Sequence, residues 1–162
     1  MKTAIRFEIL GEPFGKKNMQ PIMVGGHARA FSPQKNEEYM SKVYFSLKEA
    51  LKDIEQEGII FDKDTPVKVN ILALYEIPKS HYKFYKSLGK CDYDKVGKSM
   101  LVGEIRPTKK PDLDNISKVI CDGITKVGRV WFDDSQVVEE TLQKYYAEKP
   151  KVIVEVIGLK EE

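Results

Sequence analysis

Apolar and polar residues alternate from Met1 to Glu8, and residues 2–10 read as a β-strand. A turn-rich loop follows, Gly11-Glu12-Pro13-Phe14-Gly15-Lys16-Lys17-Asn18, and Gly25-Gly26 marks a second turn. From Ser32-Pro33 the period changes to 3.6. Tyr39, Val43, Leu47, Ala50/Leu51 and Ile54 form one stripe, with Ser32 expected at N-cap, Pro33 at N1 and Gly58 as the stop. Residues 66–77 alternate again through Val67, Val69, Ile71, Ala73 and Tyr75, and Pro78 ends the run. A second helix is predicted from Asp114 to about Lys126, with Ile116, Val119, Ile120, Ile124 and Val127 apolar and Gly128 placed to stop it. Residues 138–147 and 151–159 read as two closing strands joined near Pro150. Strands and helices mix without a βαβ rhythm. The expected fold is therefore α+β: one domain over residues 1–162, a mixed sheet packed against two main helices.

Composition narrows the class. A chain of 162 residues, 41% hydrophobic and 32% charged, suits a single globular domain with a real core. No apolar run reaches the roughly 20 residues that cross a bilayer, and the N-terminal stretch lacks the apolar segment of a signal peptide. No membrane partner is expected, and the cytoplasm is the default location. Cys91 and Cys121 have no redox or zinc spacing, and His27 and His81 complete no metal motif with them. Cys121, inside the second helical pattern, is expected to be a buried free thiol.

Net charge is only +2, but nine lysines and arginines stand against three acids between Lys79 and Lys110. That asymmetry points to a local surface for a polyanion. Lys79, Lys83, Lys86 and Lys90 would make one stripe if their segment were helical, for which a solvated helix face is the plain alternative. Arg106, Lys109 and Lys110 then lead into the acidic motif as a phosphate track. Gly89, Gly97 and Gly103 suggest a flexible loop over residues 89–108, ordered on DNA.

The candidate chemistry lies in two acidic clusters. Asp112 and Asp114 stand two apart in Lys109-Lys110-Pro111-Asp112-Leu113-Asp114-Asn115, and Trp131-Phe132-Asp133-Asp134-Ser135-Gln136-Val137 follows the helix. Asp114, Lys118 and Asp122, at i, i+4 and i+8, share a helix face. Taken singly, each acid reads better as a helix cap or a surface ion pair than as a ligand. As a set they suggest a carboxylate cage for a hard divalent cation, Mg²⁺ or Mn²⁺. A calcium loop does not fit: counted from Asp112, Ser117 stands where the glycine should be and Gly123 where the bidentate glutamate should be. A cation so held can activate water and stabilise a phosphodiester transition state, with Lys118 steadying the developing charge.

These residues resemble those of the RusA-type Holliday-junction resolvases, a family common in prophages. The resemblance rests on Lys110-Pro111-Asp112-Leu113-Asp114-Asn115, Lys118, Asp122 and Trp131-x-Asp133-Asp134-Ser135-Gln136-Val137, and is concentrated in residues 107–146. The Gly11–Lys17 loop and Ile77-Pro78-Lys79-Ser80 fit more loosely, and the chain is longer than compact members around residues 80–108. The resemblance implies a homodimeric, Mg²⁺-dependent endonuclease that resolves four-way DNA junctions by paired nicks. It makes Asp112, Asp114 and Asp134 the metal-binding catalytic acids and Lys118 the catalytic lysine, with Asn115, Asp122 and Asp133 in support and Trp131 as a packing anchor. Lys16, Lys17, Lys79, Lys83, Arg106, Lys109 and Lys110 are the expected DNA contacts. Two readings stay open beside it: a metal-dependent nuclease for other branched DNA, and a DNA-binding protein whose acids merely cap helices.

Overall fold

Strand β1 (Ala4–Leu10) buries Ile5, Phe7 and Ile9 and exposes the residues between them, as the alternation requires. The computed structural model describes residues 3–160; Lys2, the first residue of the expected strand, lies outside the described residues. Two further pairs of short strands follow the turn signals. β2 (Gln20–Val24) and β3 (His27–Phe31) form a hairpin around Gly25-Gly26, both at positive φ. Neither strand is legible in the sequence, because every residue of both is exposed.

Helix α1 (Gln34–Ala50) buries Tyr39, Val43 and Leu47. Its ends differ from expectation. Pro33, at φ −55 and ψ 137, is the N-cap rather than the first helical residue, and no side chain caps the helix. Ser32 instead accepts from the Asn36 side-chain amide at 3.4 Å. The helix stops at Leu51, well before Gly58, whose positive φ serves a later loop. Ile54 still packs on the core, but from a turn.

β4 (Val67–Glu76) buries Val67, Val69, Ile71, Ala73 and Tyr75 on one face. The segment whose lysines would form one stripe if it were helical is a 3₁₀ turn followed by a hairpin, β5 (Tyr82–Tyr85) and β6 (Lys90–Tyr93). The expected flexible loop at 89–108 is likewise structured: it holds β6 and helix α2 (Lys95–Leu101). Asp94 stabilises α2 by accepting from the Gly97 N–H at 2.7 Å.

Helix α3 (Leu113–Val127) buries Ile116, Val119, Ile120 and Ile124, and Gly128 ends it at φ 69 in the left-handed conformation. β7 (Val137–Ala147) and β8 (Lys151–Gly158) complete a four-stranded sheet of order β1-β8-β4-β7. β7 runs parallel to β4 and the other pairings are antiparallel, so the sheet is mixed. α1 and α3 pack together over one face, and the core lies between them and the strands. A Cβ at Gly123 would stand 2.7 Å from Val43, so glycine is what lets the two helices approach. Among the described residues no helix is long and apolar enough to cross a membrane.

Candidate active site

The site forms where α3 meets the edge strand β7. Apolar residues hold one side of α3 in the core, which turns Asp114 and Lys118 outward, one helical turn apart. The Lys118 ammonium donates to Asp114 at 3.2 Å, and that bond is the main reason the Asp114 carboxyl lies below its usual range.

Asp134 reaches the same place from the opposite direction. Trp131 is buried and donates its indole N–H to Thr125 at 2.8 Å. Gln136 is also buried, accepting from the Phe132 N–H and donating to the carbonyls of Asp62 and Thr65. These two anchors fix the short 3₁₀ turn Asp134–Gln136. Asp133 caps that turn, taking the Ser135 N–H at 3.3 Å, and this hydrogen bonding holds its carboxyl low. Asp134 moves the other way: partial burial, then the charges of Asp133 and Asp122, raise its carboxyl above the usual range.

A cavity of about 520 Å³ is lined by Asp114, Lys118, Ser117, Cys121, Asp134 and, from β7, Glu139 and Glu140. Glu140 is a member that sequence reasoning missed. A register shift between β4 and β7, where Val67 faces Val137 but Lys68 faces Glu139, leaves Val138 unpaired. The shift puts Glu140, Leu142, Lys144 and Tyr146 opposite Val69, Ile71, Ala73 and Tyr75, on the face that meets the helices. Ser117 then donates its hydroxyl to Glu140 at 2.6 Å. Cys121 is the buried free thiol expected, and burial pushes its pKa up to about 12, so it stays protonated.

Asp112 occupies the N-cap of α3 without capping it and is absent from the cavity wall. It pairs with Lys110 at 3.4 Å and is the acid whose charge acts on Lys144. Among the described residues, no three His, Cys, Asp or Glu side chains stand close enough together to hold a metal ion. The expected grouping of Asp112, Asp114 and Asp134 is therefore not one tight cage: Asp114 and Asp134 share a cavity, and Asp112 lies beside it on the Lys144 side. The charged donors at the cavity are hard carboxylate oxygens, the Cys121 thiol being protonated, and neighbouring acids add to burial in raising the Asp134 carboxyl. Both features suit a divalent cation of the Mg²⁺ type.

Asn115 and Asp122 act on the Gly11–Asn18 loop. The Asn115 carbonyl accepts the Lys16 N–H at 2.8 Å, and Asp122 pairs with the Lys16 ammonium at 2.5 Å. Lys16 is thus engaged within the protein. Fully buried Asn36 clasps the Lys17 backbone with two 2.9 Å bonds. Arg106 lies 3.9 Å over the Tyr145 ring and donates to the Lys144 carbonyl at 2.8 Å. Lys109 stands over Tyr75, and the Lys144 ammonium donates to the Lys109 carbonyl at 2.7 Å. Lys110 is exposed. Lys79 and Lys83 are also exposed, on the turn and hairpin that follow β4. Lys144 belongs to the same cationic group, and only the β4–β7 register reveals its direction.

A family model described as endodeoxyribonuclease RusA matches residues 11–157 of the chain. The chain belongs to the RusA family. It is an endodeoxyribonuclease, and membership implies action on Holliday junctions. A similar protein from Bacillus subtilis (strain 168), YqaN, is 30% identical over 150 residues, which is 93% of each chain, and is itself described as uncharacterized.

Proposed function

We propose that this RusA-family endonuclease resolves four-way DNA junctions by paired symmetric nicks, acting as a homodimer with a divalent cation, Mg²⁺ or Mn²⁺. The observation that carries the reading is the joint presentation of Asp114, Lys118 and Asp134 to one cavity in a chain of this family. Asp114 and Asp134, with Asp112 beside them, would hold the cation. Bound there, it would supply Lewis-acid stabilisation of the phosphodiester and a water of lowered pKa.

The protein's own groups have separate tasks. Lys118 offers an ammonium to the phosphate oxygens as charge builds on them. Asn115 and Asp122 position the Gly11–Asn18 loop against α3, and Asp133 holds the turn that presents Asp134. Arg106, Lys109 and Lys110, joined by Lys17, Lys79 and Lys83, bind backbone phosphates on the approach. Symmetric incision needs two active sites related by a two-fold axis, which a C2 dimer supplies.

The test is incision of a synthetic four-way junction, a flap and a linear duplex, each with and without Mg²⁺, by wild type and Asp114→Asn. Wild type is expected to nick the junction symmetrically and only with metal, while the variant binds it without cutting. Equal cleavage of flap and junction would replace the junction reading with a broader branched-DNA nuclease. Full activity of Asp114→Asn would remove that residue from the catalytic set. Light scattering on the purified protein checks the dimer.

A further inference from the structure

The β5–β6 hairpin has an anchored base and an unsupported tip. At the base, the Tyr82 and Tyr93 rings pack with centroids 5.6 Å apart. The Asp94 N–H donates to the His81 carbonyl at 3.0 Å, and the Asp94 carboxylate meets the His81 ring at 3.1 Å while capping α2. A Cβ at Gly97 would stand 2.7 Å from the His81 carbonyl, so α2 fits tightly against the start of the hairpin. α2 in turn rests on β7. There Gly103 lies so near Tyr145 that a Cβ would be 2.9 Å from its ring, the ring that carries Arg106. The hairpin therefore stands next to the cationic segment that leads to Asp112.

Beyond that base, side chains that would normally be covered face solvent. Phe84 is 63% exposed and Leu88 68%. The register pairs Tyr82 with Tyr93 and Phe84 with Cys91, and Lys83 with Asp92 and Tyr85 with Lys90. Alternation then puts Tyr82, Phe84, Cys91 and Tyr93 on one face and Lys83, Tyr85, Lys90 and Asp92 on the other, with Asp92 opposite Lys83 at the base end. Between residues 82 and 91 there are three lysines and no acid. Apolar side chains left open on a small hairpin contribute nothing to the core. A tip combining the exposed rings of Phe84 and Tyr85 with Lys86 and Lys90, and with Lys83 nearer the base, matches one chemistry closely: nucleobases freed from their stack, flanked by phosphates.

We propose that the β5–β6 hairpin is a wedge for branched DNA. Phe84 stacks on an unstacked base at the branch point, Leu88 packs beside it, and Lys83, Lys86 and Lys90 hold the neighbouring phosphates. The inference rests on the branched-DNA reading above and adds a contact that is independent of the nicking chemistry.

The experiment uses the full chain carrying Asp114→Asn and a four-way junction with 2-aminopurine either at the branch point or mid-arm. Binding should raise fluorescence at the branch point only. Phe84→Ala should abolish that rise and weaken junction affinity about tenfold, with affinity for linear duplex unchanged. Phe84→Trp should keep both signals. Replacing Lys83, Lys86 and Lys90 by Gln should weaken junction binding and lower its salt slope by roughly 3. If wild type prefers the junction but Phe84→Ala leaves affinity and fluorescence unchanged, the wedge is wrong and the exposed tip belongs to a protein contact. If wild type shows no preference for the junction over duplex, the branched-DNA reading itself fails, and the wedge with it.

Discussion

Ser117 on α3 donates to Glu140 on β7 at 2.6 Å, and both residues line the cavity that Asp114 and Asp134 share. It fixes the separation of the two elements that carry the site. A hydrogen bond to a charged acceptor contributes more than a neutral one, and with Glu140 partly solvated the expected cost of Ser117→Ala is about 1 kcal/mol. Urea denaturation should show a lower midpoint with an unchanged slope, accompanied by a modest loss of junction cleavage. An unchanged midpoint would mean that the bond does not brace the site.

Lys118 is held by Asp114 at 3.2 Å in the free protein, within reach of any phosphate entering the cavity. Its charge should matter most when negative charge develops in the transition state. Lys118→Ala is therefore expected to lower kcat by about 10²–10³-fold, with junction affinity changed far less. Single-turnover cleavage and gel-shift titration separate the two. Parallel losses in rate and affinity would make Lys118 a binding residue.

The sequence discloses the elements whose two faces differ. β4 buries every second residue, and α3 shows both its apolar stripe and its stop at Gly128, so both are readable, and with them Asp114 and Lys118. The β2–β3 hairpin is not readable, because strands exposed on both faces leave no alternation, and β5 and β6, four residues each, are too short to show one. The spacing of Lys79, Lys83, Lys86 and Lys90 imitates a helix that the fold does not form. Gly58 imitates a helix stop in the same way, since α1 ends at the turn after Leu51. Glu140 and Lys144 were out of reach for another reason: their direction depends on the unpaired Val138, a feature of strand pairing rather than of the β7 sequence. The same limit applies to Asp112, whose engagement with Lys110 cannot be told from spacing that also suits a shared ligand set.

Asp134 should trade stability for function. Partial burial, with the charges of Asp133 and Asp122, raises its folded pKa above the ordinary carboxylate value. The folded protein thus binds this proton more tightly than the unfolded chain does. The resulting stabilisation is present below the unfolded pKa and disappears as pH rises through the folded one. Asp134→Asn escapes this loss, so without metal the variant should melt slightly above wild type at neutral pH, and the gap should close in acid. Adding Mg²⁺ should reverse the order, because a cation bound only to the folded wild type stabilises it by linkage. Thermal melts at two pH values, with EDTA or Mg²⁺, provide the check. A variant that melts like wild type under all four conditions would argue that Asp134 is neither strained nor a ligand.

Gly15 should be the least replaceable residue of the loop that braces α3. A Cβ there would stand 2.4 Å from the Pro111 Cβ and 3.2 Å from that of Asn115, with Pro111 directly preceding Asp112. Gly15→Ala must push the loop away or displace the Pro111–Asn115 segment, an overpacking cost of about 1–3 kcal/mol. Lys16→Met removes the ion pair with Asp122 but leaves the packing intact, and at about one-third exposure such a pair contributes under about 1 kcal/mol. Gly15→Ala is accordingly expected to lower both the melting temperature and the cleavage rate more than Lys16→Met does. If the two variants lose stability and rate equally, the loop is held by charge, and its close packing against Pro111 does not position the site.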